Sequence, residues 1–325
     1  MKGLVSILGL VLACIPVLGG TDPASQQLLT TAKQQANLYH DQTSPFELDV
    51  SFTAQINVPT QGQLTMRWEA NDRWWRKVVM AGFEQIEIRN GDRLYTSRNL
   101  DFTPMRVGQL IGLLQFGQGS QGLIVKGQKQ RVENGIEMTC LKVEREGDKN
   151  GTHEICVNPT SSEILSDDFQ GPPDERRSEL YGDYFDFATH RYPRKLELRE
   201  NGIRVITATV DSLAATPFDE RLLVPLKGAI ERRQCADMKD AIPVKTPDPL
   251  YPTSAKQNRI SGDTTVAMTV LTDGSVTDIR VVGSAAHSLD NATLQTLESW
   301  RFKPAMCGTE PVVSDIQVVV SFRLR

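Results

Sequence analysis

The stretch FELDVSFTAQI, residues 46–56, gives the clearest indication of the fold of the larger part of the chain. Its even-numbered residues are apolar and its odd-numbered residues are polar, without a break. Because successive side chains of a β-strand point to opposite faces of a sheet, this alternation predicts a strand with one buried face. Further strand-like runs follow as far as Ser212, and Gly91-Asp92 and Asn201-Gly202 predict hairpin turns between them. We therefore expect one large, curved antiparallel sheet.

Two helical patterns interrupt the strands. Residues 23–40 open with a proline, which suits a first helical turn, and apolar residues follow at helical spacing. A second, short amphipathic helix is marked by Val107, Leu110, Ile111 and Leu114. A helix, many strands, a helical interruption and more strands indicate the α+β class, with the helices on one face of the sheet.

The composition argues against several classes of protein. The chain has 325 residues, 36 basic and 40 acidic side chains, and a net charge of −4. This length suggests two domains, and the mixed charges form no basic stripe that would indicate a nucleic-acid partner. The histidines are scattered without the spacing of metal ligands, so we predict no metal site and no cofactor.

The N-terminal residues differ from the rest of the chain. Lys2 precedes an apolar run that ends at Leu18, and small residues follow. The run is shorter than a bilayer-spanning helix and is typical of an export signal, so we predict a signal peptide at residues 1–20. Two alternatives remain open. Cys14 lies in a loose lipobox, which would make a lipoprotein, and an uncleaved segment would be a membrane anchor.

Cysteine usage agrees with export to the periplasm. Removal of the signal leaves four cysteines, and an even number in an exported chain favours disulfides. Cys140 and Cys156 are equally distant from Asp148, in a turn-rich stretch between two strand-like runs, so we expect them to face each other across a hairpin. That leaves Cys235 to pair with Cys307. The alternative is two pairs of buried free thiols.

Prolines concentrate between Pro225 and Pro252. Proline at this density extends and stiffens a chain, so we place a linker at residues 227–246 and divide the mature protein into a larger unit, 21–226, and a C-terminal unit, 247–325.

The C-terminal unit carries clear local signals. Asp273-Gly274 predicts a hairpin turn between two strands, and Asp290 is a good N-cap for the helix that follows. The last run alternates from Ile316 to Leu324, which predicts a final strand. The order of elements is therefore strand, strand, helix, strand.

Several short motifs of this unit occur together in a characteristic order. They are Pro249-Leu250-Tyr251-Pro252, Ala255, Gly262, Asp273-Gly274-Ser275-Val276, Ser284, Leu289-Asp290-Asn291-Ala292, Trp300-Arg301-Phe302-Lys303-Pro304-Ala305 and Pro311-Val312. In this order and spacing they resemble the TonB C-terminal domain. The resemblance implies a small ββαβ fold whose edge strand pairs with an extended peptide, the TonB box of an outer-membrane transporter.

Sheet physics supports the same site. A terminal strand leaves unpaired N–H and C=O groups on its outer edge, and these groups accept another strand. The predicted partner-binding stretch is Ser314, Asp315, Ile316, Gln317, Val318, Val319, Val320, Ser321 and Phe322. The alternatives are that this strand only closes the sheet or that it dimerises. We expect Trp300 and Phe302 to belong to the core rather than to a contact surface.

The chain departs from a TonB energy transducer in two respects. Such transducers have an uncleaved inner-membrane helix and a long proline-rich span, whereas this apolar run is short and a folded unit occupies most of the chain. An energy transducer anchored by its N-terminus therefore stays as an alternative function.

The larger unit carries a second resemblance. Its helix and long meander, the Trp74-Trp75 pair and the sequence from Tyr192-Pro193 to Val224-Pro225 resemble the LolA/LolB lipoprotein-sorting fold. That fold implies an open half-barrel with an apolar hollow that holds an acyl chain or a lipoprotein. The candidate lining residues are apolar and predicted to point inward: Phe52, Met66, Trp68, Trp74, Met80, Leu110 and Leu114. The alternative is that they form a filled core.

No motif of the chain requires an enzyme. It lacks a Gly-x-Ser-x-Gly elbow, a His-Glu-x-x-His pair and a nucleotide-binding loop. We therefore predict an exported, non-enzymatic periplasmic binding protein. Its predicted partners are an outer-membrane transporter or other envelope protein and a lipid or lipoprotein, but not nucleic acid. A structural envelope module without a ligand is the remaining alternative.

Overall fold

The structure is a computed structural model of the chain. It describes residues 22–40, 42–56, 58–100, 102–118, 122–133, 135–145, 152–171, 175–233, 235 and 237–324. The predicted signal peptide lies outside the described residues.

A large open antiparallel sheet dominates the molecule. Its elements, in chain order, are α1 (Pro23–Ala36), β1 (Phe46–Gln55), β2 (Pro59–Ala70), β3 (Arg73–Met80), β4 (Phe83–Asn90), β5 (Arg93–Arg98), α2 (Met105–Leu114), β6 (Leu123–Glu133), β7 (Ile136–Arg145), β8 (Thr152–Val157), β9 (Ile164–Gly171), β10 (Glu175–Phe187), β11 (His190–Glu200), β12 (Ile203–Ala215) and β13 (Ile230–Arg233). A turn of 3-10 helix, Glu220–Leu223, precedes β13. The strand order is β13-β5-β4-β3-β2-β1-β12-β11-β10-β9-β8-β7-β6, so the described strands leave two ends rather than a closed barrel.

The alternation at residues 46–56 places β1 in the middle of this sheet. β1 pairs with β2 on one side and with β12 on the other, and its even-numbered side chains are buried. Leu29 of α1 and Leu110 of α2 join Leu48 and Trp68 in one apolar core. The predicted fold, a curved antiparallel sheet with helices packed on its core face, is confirmed.

The C-terminal unit is a smaller α+β structure. Its elements are α3 (Thr253–Gln257), β16 (Gly262–Val270), β17 (Val276–Gly283), α4 (His287–Leu297), β18 (Arg301–Lys303), β19 (Ala305–Cys307), β20 (Glu310–Val312) and β21 (Ser314–Phe322). The three long strands form an antiparallel sheet in the order β17-β16-β21. The predicted strand, strand, helix, strand order holds, with three short strands inserted between α4 and β21.

The segment 227–246, expected to be a proline-containing linker, carries strands. It includes β13, β14 (Met238–Lys239) and β15 (Ile242–Lys245). β13 extends the large sheet by pairing with β5, whereas β14 and β15 pair with β19 and β18 of the C-terminal unit. The chain therefore passes from one sheet to the other through paired backbone. Within the described part of the chain, no helix has the length and apolar character needed to cross a membrane.

Candidate functional site

The last strand offers a free edge. β21 pairs with β16 from Ser314 to Phe322 without a register shift, and no other described strand pairs with it. The predicted partner-binding stretch thus coincides with one complete edge strand. Its outer main-chain groups have no strand partner among the described residues.

The direction of these main-chain groups follows from the neighbouring hairpin. The N–H of Leu271 donates to the carbonyl oxygen of Ser275 (2.8 Å), which directs residue 271 toward β17. Because main-chain groups alternate in direction along a strand, Val270 points toward β21, as do the other even-numbered residues of β16. Their β21 partners, the even-numbered residues from Ser314 to Phe322, point back.

The odd-numbered residues of β21 therefore direct their N–H and C=O groups outward. They are Asp315, Gln317, Val319 and Ser321. Their side chains are exposed, and Val319 is 61% exposed. The even-numbered side chains pack into the unit: Val320 and Phe322 are buried, and Ile316 and Val318 pack on the core. The side chains of an added strand would lie beside the apolar even-numbered side chains of β21 on one face of the sheet. On the other face they would lie beside the largely polar odd-numbered side chains.

One end of β21 is tied to the large sheet. The Arg232 guanidinium, on β13, donates from Nε and Nη2 to the two carboxylate oxygens of Asp315, both at 3.1 Å. The same Nη2 also donates to the Thr269 hydroxyl (3.2 Å) on β16. Burial acts to raise the pKa of Asp315, but the hydrogen bonds from Arg232 and Thr269 outweigh it, so this pKa lies below its ordinary value.

A second acidic residue lies on the same face of the small sheet as Asp315, two strands away. Asp278 on β17 forms an ion pair with Arg98 on β5, and both side chains are buried. Its Oδ2 lies 4.0 Å from Nη2 of Arg232. The two arginines of the large unit thus cover a row of Asp278, Thr269 and Asp315, one residue from each strand of the small sheet. This contact holds the two units together beside the free edge.

Two further links lie next to this row. Arg233 pairs with Asp92 at the β4–β5 turn (3.0 Å) and with Glu310 on β20. The predicted disulfide between Cys235 and Cys307 is present and joins the chain after β13 to β19. The predicted disulfide between Cys140 and Cys156 is also present, across the β7–β8 pair. Both predicted pairings are confirmed.

The predicted apolar lining lies in the core of the large unit. Six of the seven side chains are buried: Phe52, Met66, Trp68, Met80, Leu110 and Leu114. The seventh, Trp74, is partly buried and packs against the same core. Phe46 stacks on Trp68, with ring centroids 5.2 Å apart, and fills space around it. These residues pack with one another and with α1 and α2 in a single cluster.

A groove of about 690 Å³, open to solvent, crosses β1, β2, β3 and β12 on the outer face of the large sheet, opposite the core. Phe52 and Met80 line it, but the other five predicted residues do not. Its remaining walls are mostly polar: Ser51, Thr53, Gln61, Gly62, Gln63, Val79, Ala81, Thr207 and Thr209. All seven predicted residues therefore belong to the core, and Phe52 and Met80 only border a mixed polar groove on the opposite face of the sheet.

Trp300 and Phe302 behave differently from each other. Phe302 is 7% exposed and packs with Val266 and Met268. Trp300 is half-buried, contacts the core, and donates its indole N–H to the carbonyl oxygen of Pro247 (3.0 Å). This bond secures the start of the C-terminal unit, so both residues have structural contacts.

Comparison with known proteins finds a family that the C-terminal unit resembles. Residues 247–324 match the family described as the Gram-negative bacterial TonB protein C-terminal. The resemblance of this unit to TonB is confirmed. Over 86 residues the chain is 29% identical to Protein TonB of Pseudomonas aeruginosa. This match covers 26% of this chain and 25% of that protein. The match thus spans about a quarter of its TonB relative's length.

Two solved structures cover different parts of the chain. The solution structure of the P. aeruginosa TonB C-terminal domain is 29% identical, with a TM-score of 0.24, and the match covers 26% of this chain and 87% of that one. The crystal structure of a LolA superfamily protein from Nitrosomonas europaea is 9% identical, with a TM-score of 0.43, and the match covers 61% of this chain and 96% of that one.

Sequence reasoning missed the arginines that join the units. Arg98 and Asp278 are 180 residues apart, and Arg232 and Asp315 are 83 apart. Each arginine lies in a strand-like run of ordinary charged and apolar residues, and no local pattern distinguishes it. The one available signal was the Ile230–Arg233 run itself, which carries two adjacent arginines next to a cysteine-containing stretch.

Proposed function

We propose that this chain is a periplasmic envelope protein whose C-terminal unit binds an extended segment of an outer-membrane transporter, or of another envelope protein, by strand addition. The observation that carries the proposal is the free outer edge of β21, with four outward-pointing residues. Main-chain hydrogen bonds supply affinity in this mode, and alternate side chains supply selectivity. The match of residues 247–324 to TonB supports the same partner class.

The side chains along the edge of β21 indicate which side chains the partner strand should carry. Gln317, Val319 and Ser321 form a row with one apolar residue between two polar ones. Directly opposed side chains on a sheet lie about 4.5–5.5 Å apart at Cβ, so the incoming strand should place an apolar side chain beside Val319. The partner segment is therefore an extended peptide of alternating character rather than a helix.

A lipid or lipoprotein is the proposed ligand of the large unit. The open groove of about 690 Å³ on the outer face of the sheet, bordered by Phe52 and Met80, lies within the volume range of ligand sites. Its mixed lining fits a ligand with both apolar and polar groups. Mass spectrometry of the native protein, purified from the envelope, tests this part separately, and a spectrum without a bound lipid opposes it. The proposed role of both units is binding rather than catalysis.

Strand addition is tested with a fluorescent peptide that carries the TonB box of an outer-membrane transporter. Val319→Pro removes an outward N–H while leaving the β16 pairing of its even-numbered neighbours in place. We expect this variant to lose at least about tenfold in affinity, which is about 1.4 kcal/mol. Hydrogen exchange of the wild-type protein should slow at the outward amides of β21 when the peptide is added.

Val319→Ala is the matched control, because it trims an exposed side chain and keeps the N–H. It should bind the peptide within about threefold of the wild type, since main-chain bonds dominate this mode. Equal binding by the proline variant, or protection of amides elsewhere than β21, would contradict strand addition.

A further inference from the structure

Three cationic side chains lie together on a small strand pair of the C-terminal unit. β15 and β18 are antiparallel, and Lys245 of β15 lies directly opposite Arg301 of β18. Lys303 follows Arg301 two residues along β18, and the buried Phe302 between them turns both cations outward. All three cationic residues are exposed. We call Lys245, Arg301 and Lys303 the basic ribbon.

The positive charge of the basic ribbon is not neutralised by a described carboxylate. Among the described residues, the ion pairs of the C-terminal unit involve other arginines: Arg98, Arg232, Arg233 and Arg323. None of these pairs involves the basic ribbon, although Asp240 and Asp248 lie on the same segment as Lys245. Like charges directly opposite each other on paired strands destabilise the pair. An anion bound between Lys245 and Arg301 would therefore relieve a repulsion that the fold leaves in place.

The Arg301 guanidinium is held in position with one edge unused. Its Nη1 donates to the carbonyl oxygens of Trp300 (2.7 Å) and Glu298 (3.1 Å), which are neutral acceptors. Its Nε and Nη2 form no hydrogen bond with the described residues. These two nitrogens make up an edge that binds a carboxylate through two parallel bonds, as Nε and Nη2 of Arg232 do with Asp315. The edge is thus positioned for an incoming carboxylate.

The spacing of the cations favours an extended peptide. Alternate residues of a strand point to the same face and lie about 6.5 Å apart, so Arg301 and Lys303 match carboxylates at alternate positions of an extended partner. Ile242 lies directly opposite Lys303 and is 56% exposed, which provides an apolar contact beside the second cation. A lipid headgroup layer is fluid and would not require cations at strand spacing.

We propose that the basic ribbon binds an extended acidic segment of another envelope protein, with carboxylates at alternate positions. Arg301 binds one carboxylate through Nε and Nη2, with Lys245 facing it, and Lys303 binds the next. The basic ribbon shares no residue with the β21 edge, so this interaction does not depend on strand addition.

The test is fluorescence anisotropy of the full chain with a labelled peptide of sequence Glu-Val-Glu-Val-Glu. The double variant Arg301→Gln with Lys303→Gln should lose at least about tenfold in affinity, because two charge-assisted contacts are removed. Lys256→Gln with Arg280→Gln is the matched control, since it removes one exposed lysine and one exposed arginine of the same unit from other elements. It has the same net charge and should bind within about twofold of the wild type.

A second variant separates binding from folding. In Lys245→Gln with Lys303→Gln, neither replaced side chain has a hydrogen bond to the described residues, so the unit should keep its wild-type circular dichroism and still lose at least about fivefold in affinity. The peptide Gln-Val-Gln-Val-Gln should not bind. Equal binding of the two peptides, equal affinity of the ribbon and control variants, or no binding by the wild type would overturn the proposal. Binding of the wild type to phosphatidylglycerol vesicles but not to the glutamate peptide would overturn it in favour of a lipid headgroup.

Discussion

Gly274 shows how one residue limits the geometry of the C-terminal unit. It has a φ of +79°, and a Cβ at this position would clash with the carbonyl oxygen of Phe302. The Phe302 N–H also donates to the carbonyl oxygen of Gly274 (2.9 Å), which holds the two backbones together. The hairpin turn and the strand after α4 therefore meet only because residue 274 lacks a side chain.

Gly274→Ala should lower the free energy of unfolding by more than about 2 kcal/mol, since left-handed backbone strain and a backbone clash add. Gly82→Ala is the control, because Gly82 has a φ of +75° and open space around it. It should cost only about 1 kcal/mol. Urea denaturation of each variant measures the two values, and equal losses would contradict a role for the Phe302 contact.

Asp290 is the second residue that ties separate elements together. Its carboxylate accepts hydrogen bonds from Thr264 (2.8 Å), Ser284 and the N–H of Ala285 (3.3 Å). Burial acts to raise its pKa, but these hydrogen bonds hold the pKa below its ordinary value of 3.8. The folded state thus favours the ionised form.

A lowered pKa makes the C-terminal unit sensitive to acid. The stabilising contribution of Asp290 is fully present above its ordinary pKa of 3.8 and is lost as the pH falls through the lower folded value. The difference in unfolding free energy between the wild type and Asp290→Asn should therefore shrink below about pH 4. A difference that stays constant down to pH 2 would contradict this assignment.

Asp290 also shows where residue-scale prediction from the sequence ends. Its position before an apolar stripe predicted an N-cap, but α4 begins at His287, and Ala286 occupies the N-cap. The prediction was wrong because N-cap preference describes local bonding only. Here the carboxylate bonds to Thr264 on a distant strand instead.

At the scale of elements, α1 protects the far edge of the large sheet. The Gln26 side chain accepts from the Val125 N–H (3.0 Å) and donates to the Leu123 carbonyl oxygen (3.1 Å). These are main-chain groups on the outer edge of β6, so one carboxamide takes the place of a neighbouring strand. This device satisfies groups that otherwise invite edge-to-edge association.

Gln26→Ala should lower the free energy of unfolding by about 1–2 kcal/mol, since two partly buried main-chain groups lose their partner. It should also increase concentration-dependent association, which light scattering measures. Gln27→Ala is the control, because the only hydrogen bond of the Gln27 side chain to the described residues is to Thr31 on the same helix. A similar loss from both variants would show that helix propensity, rather than edge protection, is responsible.

Strong periodicity explains which elements the sequence predicts well. The alternation from Phe46 onward predicted β1, and the last run predicted β21, since one face of each strand is buried. The short strands β13, β14 and β15 were missed. With two to four residues each, they are too short to show a period, and the prolines around them favoured a linker.

At the scale of the whole molecule, the division into two units follows from composition, but their contact does not. Proline density marked the boundary, and the TonB-like motifs marked the second unit. The packing of Arg98 against Asp278 requires two sheets to be folded and docked before either side chain meets its partner. The interior of the large unit also depends on tertiary packing. Alternation predicts which side chains point inward, but only three-dimensional packing determines whether they surround a hollow.

The ion pairs beside β21 should determine how rigidly the two units are held. Asp278 has a φ of +58°, which asparagine also adopts readily, so Asp278→Asn keeps the backbone while removing the charge that Arg98 and Arg232 face. Breaking a buried pair costs about 3–5 kcal/mol, so the contact between the units should weaken. Proteolysis within residues 227–246 should accelerate, and the radius of gyration from X-ray scattering should rise.

Asp219→Asn is the control, since its Arg221 partner is 89% exposed. If both variants resist protease like the wild type, then the Cys235–Cys307 bridge and the paired strands β13, β14 and β15 suffice to hold the units together, and the arginines serve only to neutralise the acidic row.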